Sequence, residues 1–294
     1  MRTEQELASA GGDARIMLLM DSEPGPSAHD FEGNIERFSG FAQLYDHCRP
    51  QPPQDLARLL AAFGGFDTLT LVVDLGSGTG LSTRYWADKA LQVIGVEPTH
   101  DMRDEAQAAG APDNVTYREG YAHATGLPDR CAEVVCCSQA LHWMAPQPTF
   151  VEAARLLRPG GVFACCDYEW PPMTGQWQAD LAFEQCLTRI KILEQELGVA
   201  QRLQRWDKSG HLARMRASGC FRYVREALLH HGDSGNAERL IGLLLSQGST
   251  MDLLKSGQSE QQLGIDELRQ IATRTLGELS RPWLWSARVC MGVV

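Results

Sequence analysis

Between Val72 and Gly80 the chain reads Val-Val-Asp-Leu-Gly-Ser-Gly-Thr-Gly, so that Gly76, Gly78 and Gly80 alternate with Ser77 and Thr79 behind a β-branched run. Glycine lets a backbone turn tightly and approach a bound molecule, because a Cβ at such a position would collide with it. Asp74 stands at the entrance to this loop. About twenty residues beyond the first glycine, the run Val93-Ile94-Gly95-Val96 ends in Glu97. A carboxylate at that place can accept hydrogen bonds from both hydroxyls of a ribose. The glycine loop alone is equally the mark of a structural turn; its pairing with Glu97 is what points to an adenosine-bearing cofactor.

Two cofactor classes satisfy this logic, and loop length separates them. Three residues after Gly78, where the nicotinamide-dinucleotide fingerprint has its third Gly or Ala, this chain has neither. The shorter GxGxG spacing favours S-adenosylmethionine. Other residues with chemical capacity follow. Ser138 and Gln139 close the apolar run from Val134, where ligands sit in open parallel sheets. His142 and Trp143 come next, and an imidazole there could act as a general base; the plainer reading is a core histidine bonded to backbone beside a core tryptophan. Arg49, preceded by Tyr45 and followed by Pro50, suits a carboxylate, either of the cofactor or of an acidic substrate, or else lies on the surface. Trp143, Tyr168, Trp170, Trp177 and His211 supply the stock of an apolar pocket with a few polar anchors. The segment Glu169-Trp170-Pro171-Pro172 is not the Pro-Pro-aromatic motif of amino-group methyltransferases, since its aromatic precedes the prolines.

Six pieces occur in one order: Tyr45 with Arg49-Pro50, VVDLGSGTG, VIGVEPTHDM, GYAHATGLP from Gly120 to Pro128, SQALHWM, and EAARLLRPGGVF. In that order the sequence resembles the class I S-adenosylmethionine-dependent methyltransferases, particularly the small-molecule branch that includes trans-aconitate methyltransferase. The resemblance runs from Phe38 to about Asp167 and is thin thereafter. It implies that Asp74, Gly76, Ser77, Gly78 and Gly80 hold the methionine and ribose portions of S-adenosylmethionine. It further implies that Glu97 takes the ribose hydroxyls and that Pro98 and Met102 lie beside the adenine. Where relatives commonly carry an Asp near the adenine amine, this chain has Gly120-Tyr121-Ala122, which leaves backbone groups or His123 for that contact. The implied activity is methyl transfer to an O, N or C nucleophile of a small organic molecule. The alternative is a catalytically silent cofactor binder, acting as a sensor or accessory subunit.

The elements that must carry these residues alternate. Strand signals at 69–75, 93–96, 115–117, 134–138 and 162–167 are separated by helix-compatible stretches at 82–90, 102–109 and 149–157, and a helix at 56–63 leads in. This predicts an α/β, Rossmann-like, doubly wound sheet of seven mostly parallel strands. The expected organisation is a flexible arm at 1–33, a cofactor-binding core at 34–170, a helical lid insertion at 171–209, a late core strand within 210–232, a second helical insertion at 233–280, and a final strand at 281–294. The formal net charge of −10, without a block of Lys and Arg, argues against a nucleic-acid partner. No stretch reaches the roughly 18 apolar residues of a membrane span, and the acidic start does not read as a signal peptide. Nine cysteines without a CxxC pair predict reduced thiols in a cytoplasmic protein, without a metal site. The paired cysteines, Cys136-Cys137 and Cys165-Cys166, should alternate faces of their strands. Oligomeric state is left open by these patterns.

Overall fold

A computed structural model describes residues 31–294, so the greater part of the arm expected at 1–33 lies outside the described residues. Seven strands form one sheet in the order β3-β2-β1-β4-β5-β7-β6. They are β1 (Leu69–Leu75), β2 (Ala90–Val96), β3 (Val115–Arg118), β4 (Ala132–Ser138), β5 (Leu157–Tyr168), β6 (Tyr223–Gly235) and β7 (Arg281–Val293). The first five are parallel, whereas β7 runs antiparallel to both β5 and β6. The chain reverses its direction of winding at β1, which lies between β2 and β4 with Val72 opposite both Val93 and Val134. Open sheets bind ligands at the carboxyl ends of the strands flanking such a switch.

Parallel central strands are covered on both faces, which is why β1 and β4 read as continuous apolar runs. One layer packs Leu56, Leu60, Val72, Trp86 and Val134 beneath the helical insertions; the other packs Val73, Leu75, Val135, Phe150 and Phe163. Cys136 and Cys166 belong to the first layer and Cys137 and Cys165 to the second, as strand alternation requires. Neither adjacent pair can reach one site.

Twelve α-helices accompany the sheet among the described residues: α1 (Glu32–Arg37), α2 (Ala42–Cys48), α3 (Leu56–Gly64), α4 (Leu81–Tyr85), α5 (His100–Ala108), α6 (Pro146–Leu156), α7 (Trp177–Glu196), α8 (His211–Ala217), α9 (Ala237–Leu245), α10 (Gly248–Lys255), α11 (Glu260–Leu263) and α12 (Ile265–Thr275). Helix α7 follows β5 and packs on α10 and α12, while α9 packs on α2 and α12, so the late helices and the early ones form one cover. Asn236 caps α9 by accepting from the Arg239 N–H, and Ser259 with Gln262 closes a capping box on α11.

Three boundaries differ from the sequence expectation. The helix expected at 82–90 is the five-residue α4, because Ala90 already pairs with Leu69 as the first residue of β2. The late strand begins at Tyr223 and runs to Gly235, past the polar stretch His230-His231-Gly232-Asp233 that reads as a loop. β6 is an edge strand with solvent on one side, so its ladder to β7 continues through polar residues as far as Gly235 opposite Arg281. Phe221, just before that strand, stacks on Phe163 at 5.6 Å.

Candidate active site

The turn after β1 is held by the strand beside it: the N–H groups of Gly76 and Ser77 both donate to the Val96 carbonyl at 2.8 and 3.2 Å. Gly76 has φ +67°, and a Cβ there would strike Met144 and Ala140. Gly78 has φ +54° with no protein atom near a would-be Cβ, so its open side is the cavity it lines. Its N–H donates to Glu97 Oε2 at 2.9 Å, and the Thr99 N–H donates to Glu97 Oε1 at 2.9 Å. Glu97 is only 7% exposed, and burial raises its carboxyl above the ordinary range against the pull of those two N–H groups.

Asp74 lies beneath the loop, fully buried, and does not line the cavity. Its carboxylate accepts from Thr83 Oγ1 at 2.7 Å, which ties the end of β1 to the helix that follows. Burial pushes this carboxyl up to about 7, opposed by the hydrogen bonds from Thr83 and Cys136. Gly80, at φ +84°, likewise lies outside the cavity, packed close to the Tyr117 hydroxyl. Both residues brace the loop from behind.

The cavity itself brings together Gly76, Ser77, Gly78, Glu97, Pro98, Met102, Tyr121 and Ala122 on one side, with Tyr45, Arg49, Ser138, Gln139, Trp143, Tyr168 and Trp170 on the other. Gln139 has φ +56°, a rare value for a side-chain-bearing residue, and its carboxamide oxygen accepts from Lys208 Nζ at 3.0 Å. Phe31, Ile35 and Phe38 close the cavity from α1 and its flanks. Their spacing of four and three residues is a helical stripe, the signal that identifies them in sequence. Helix α1 is fastened there: Asn34 Nδ2 donates to the carbonyls of Trp143 at 3.0 Å and Gln204 at 2.8 Å, and Asn34 Oδ1 accepts from the Gln204 N–H at 3.1 Å. Arg37 pairs with Glu194, lies 3.2 Å from Asp252, and covers the Trp143 ring at 5.1 Å.

Arg49 is held differently. Its Nε donates to Ser246 Oγ at 2.8 Å and its Nη2 to the Ser246 carbonyl at 2.7 Å, while its guanidinium lies 4.7 Å from both the Tyr45 and Trp170 rings. Burial lowers its pKa, offset in part by Tyr45 and Cys48.

Three expected site residues are elsewhere. His142 is 6% exposed and stands behind the cavity wall, its Nδ1 3.7 Å from Asp167 Oδ1. Burial, reinforced by Lys208 and Arg205, lowers its pKa well below the ordinary value. In this placement His142 does not reach the cavity, and its neighbour Trp143 takes the cavity position. His211 faces the same carboxylate at 3.8 Å and is 1% exposed, so it is a core residue, not a pocket one. Trp177 opens α7 on the outside of the molecule, 69% exposed. Among the described residues no group of His, Cys, Asp and Glu is placed to hold a metal ion.

This sheet order with an antiparallel β7, and a glycine turn and acidic strand end at its switch point, define a class I methyltransferase fold. Residues 73–165 match a family described as the methyltransferase domain. An uncharacterized methyltransferase of Mycobacterium tuberculosis is 36% identical over 125 residues, covering 42% of this chain and 49% of the relative. A malonyl-[acyl-carrier protein] O-methyltransferase of Pectobacterium atrosepticum is 31% identical over 130 residues, covering 44% and 50%. The chain thus spans about half the length of the curated relatives it matches. In structure, a protein assigned as a type II methyltransferase from Anaeromyxobacter dehalogenans aligns with TM-score 0.60 at 21% identity, over 83% of this chain and 97% of that one. Residues 73–165 thus resemble a methyltransferase domain, set in a chain with the fold of a solved methyltransferase.

Proposed function

We propose that this protein binds S-adenosylmethionine in the cavity and transfers its methyl group to an O, N or C nucleophile of a small organic molecule. The observation that carries the reading is the buried Glu97 carboxylate at the cavity wall, held by the Gly78 and Thr99 N–H groups. Each of its oxygens accepts one backbone bond and keeps lone pairs for a ribose hydroxyl. The open face of Gly78 fits the same ligand, since any side chain there would project into the cavity.

When bound, the cofactor supplies an electrophilic methyl group on a sulfonium. The protein's part is orientation. Glu97 would anchor the ribose, Pro98, Met102 and Tyr121 would border the adenine, and Gly76 and Ser77 would let the backbone approach the amino-acid end. Ser138 and Gln139, at the carboxyl end of β4, adjoin the transfer region. The aromatic wall of Trp143, Tyr168 and Trp170, closed by Phe38, excludes water and holds the acceptor. Alignment of donor and acceptor can supply roughly 7–11 kcal/mol of the barrier. No helix among the described residues is long and apolar enough to cross a membrane. All nine cysteines are free thiols.

The test is turnover. Protein incubated with methyl-labelled S-adenosylmethionine and a panel of small phenols, amines, thiols and acids is expected to transfer label and release S-adenosylhomocysteine. Binding of the cofactor without transfer to any member would instead favour the silent cofactor binder.

A further inference from the structure

Outside the residues given to the cofactor, the cavity wall is apolar and largely aromatic, with Phe38, Trp143, Met144, Tyr168 and Trp170. Trp143 meets Phe38 edge-on at 5.4 Å, and Trp170 stacks on Phe183 at 6.3 Å. Each indole is therefore fixed by a neighbouring ring before a ligand arrives. Tyr168 donates its hydroxyl hydrogen to the Gln51 carbonyl, so it presents a ring to the cavity and no free donor.

Charge and proton capacity narrow what such a wall can accept. Among the described residues the charged side chains lining the cavity are Arg49 and Glu97. Glu97 is the ribose anchor of the proposed function, which leaves no carboxylate for an ammonium. An amine arriving as its cation would be buried beside a sulfonium without a counter-charge, which is costly. A neutral hydroxyl or amine must instead lose a proton on methylation, and the lining groups are poor at taking it. Burial pushes the Cys166 thiol and the Tyr168 hydroxyl up, so both keep their protons. His123 packs on Tyr121 and Phe31, at 5.5 and 5.7 Å, with the residues given to the adenine. His142 and Asp167 do not line the cavity. An oxygen that is already an anion escapes both difficulties, and a flat ring suits a wall of rings.

We propose that the methyl acceptor is an acidic phenol, bound as its phenolate with its ring against Phe38, Trp143 and Trp170 and its oxygen toward Ser138. This rests on the reading of the cavity as a methyl-transfer site. Ser138 closes β4 and accepts from Ser82 Oγ at 2.9 Å, which leaves its own hydrogen for the phenolate oxygen. One donor suits one phenolate oxygen, whereas a carboxylate presents two. The counter-charge is the sulfonium of the donor. On transfer the oxygen–carbon bond forms as the sulfur–carbon bond breaks, the sulfur keeps the electron pair, and the phenol's proton has already gone to bulk water. The products are a neutral aryl methyl ether and S-adenosylhomocysteine.

The probe is 4-nitrophenol, which ionises near neutral pH and is coloured only as its anion. Its matched partners on the same ring are 4-nitroanisole, 4-nitrobenzylamine and 4-nitrobenzoate. Calorimetry is run with and without sinefungin, a donor analogue that carries an ammonium in place of the sulfonium. Wild-type protein with sinefungin should bind 4-nitrophenol about tenfold or more tightly than each partner. The bound probe should show the anion's colour at a pH where the free probe is still mostly neutral. Trp143→Leu and Trp170→Leu should each weaken 4-nitrophenol about threefold to tenfold more than they weaken sinefungin. A partner that binds as tightly as 4-nitrophenol, a bound probe that stays neutral, or no binding of the phenol at all would overturn the proposal. So would phenol affinity at the wild-type value in both variants. Failure of wild-type protein to bind sinefungin or S-adenosylhomocysteine would remove the transfer reading instead, and the four probes measured without sinefungin still decide whether the aromatic wall takes a phenolate.

Discussion

At the scale of single residues the site divides into groups that face the cavity and groups that hold those in place. Asp74 is of the second kind, and its titration is the most direct sign of it. Its folded pKa of about 7 lies above the ordinary carboxylate value, so its contribution to stability is present at low pH and is lost as pH rises through 7. The melting temperature of ligand-free wild type should therefore fall between pH 5 and 8 relative to Asp74→Asn, which cannot ionise there. Parallel curves would contradict the burial of this carboxyl. His142 behaves as a packing residue in the same sense. His142→Gln should lower the melting temperature and leave S-adenosylhomocysteine affinity at the wild-type value; a marked loss of affinity would return His142 to the cavity. The sequence could place His142 after β4 but not orient it. Strand position is local, whereas the side chain's direction depends on Asp167, Lys208 and His211, which meet it only in the fold.

Among elements, the loop between β1 and α4 and the acid at the end of β2 were legible because each is a local pattern: glycines with positive φ after a buried strand, and a polar residue closing an apolar one. Helix α1 was hidden by its surroundings. Phe31, Ile35 and Phe38 have helical spacing, but they follow a stretch rich in Gly, Pro and Ser, and only their contacts with Trp143 and the loop at Gln204 give them a purpose. The strand β6 outran its apolar signal because an edge ladder tolerates polar residues. The clasp between α1 and the later helices gives a measurable expectation. Arg37→Met leaves the buried Glu194 with only Arg205, at 3.9 Å, beside it, a loss of at most about 3–5 kcal/mol, and should lower the melting temperature by several degrees. Adding Glu194→Met should recover part of that loss, since the pair is then removed together. A single variant as stable as wild type would show that the clasp contributes nothing.

For the molecule as a whole, the sheet and its switch point carry the glycine turn and Glu97, while segments before and after it close the cavity. That division explains why the family could be read from the sequence and the acceptor could not: residues 73–165 carry shared patterns, and Phe31, Ile35 and Trp170 meet at the cavity only on folding. It also sets the acid response. His211 is held at about 4, chiefly by desolvation, below its ordinary 6.5, so its neutral form stabilises the fold at neutral pH and that contribution is lost as pH falls from 6.5 toward 4. His211→Gln should flatten the melting curve's dependence on pH in that window; an unaltered slope would place the acid sensitivity elsewhere.

The central claim is that Glu97 and Gly78 form the cofactor cradle, and titration calorimetry with S-adenosylhomocysteine tests it most directly. Wild-type protein should bind, Glu97→Ala should weaken binding at least about tenfold by removing two charge-assisted bonds, and Gly78→Val should abolish it by filling the open face of the loop. Equal affinity in all three proteins would contradict the account.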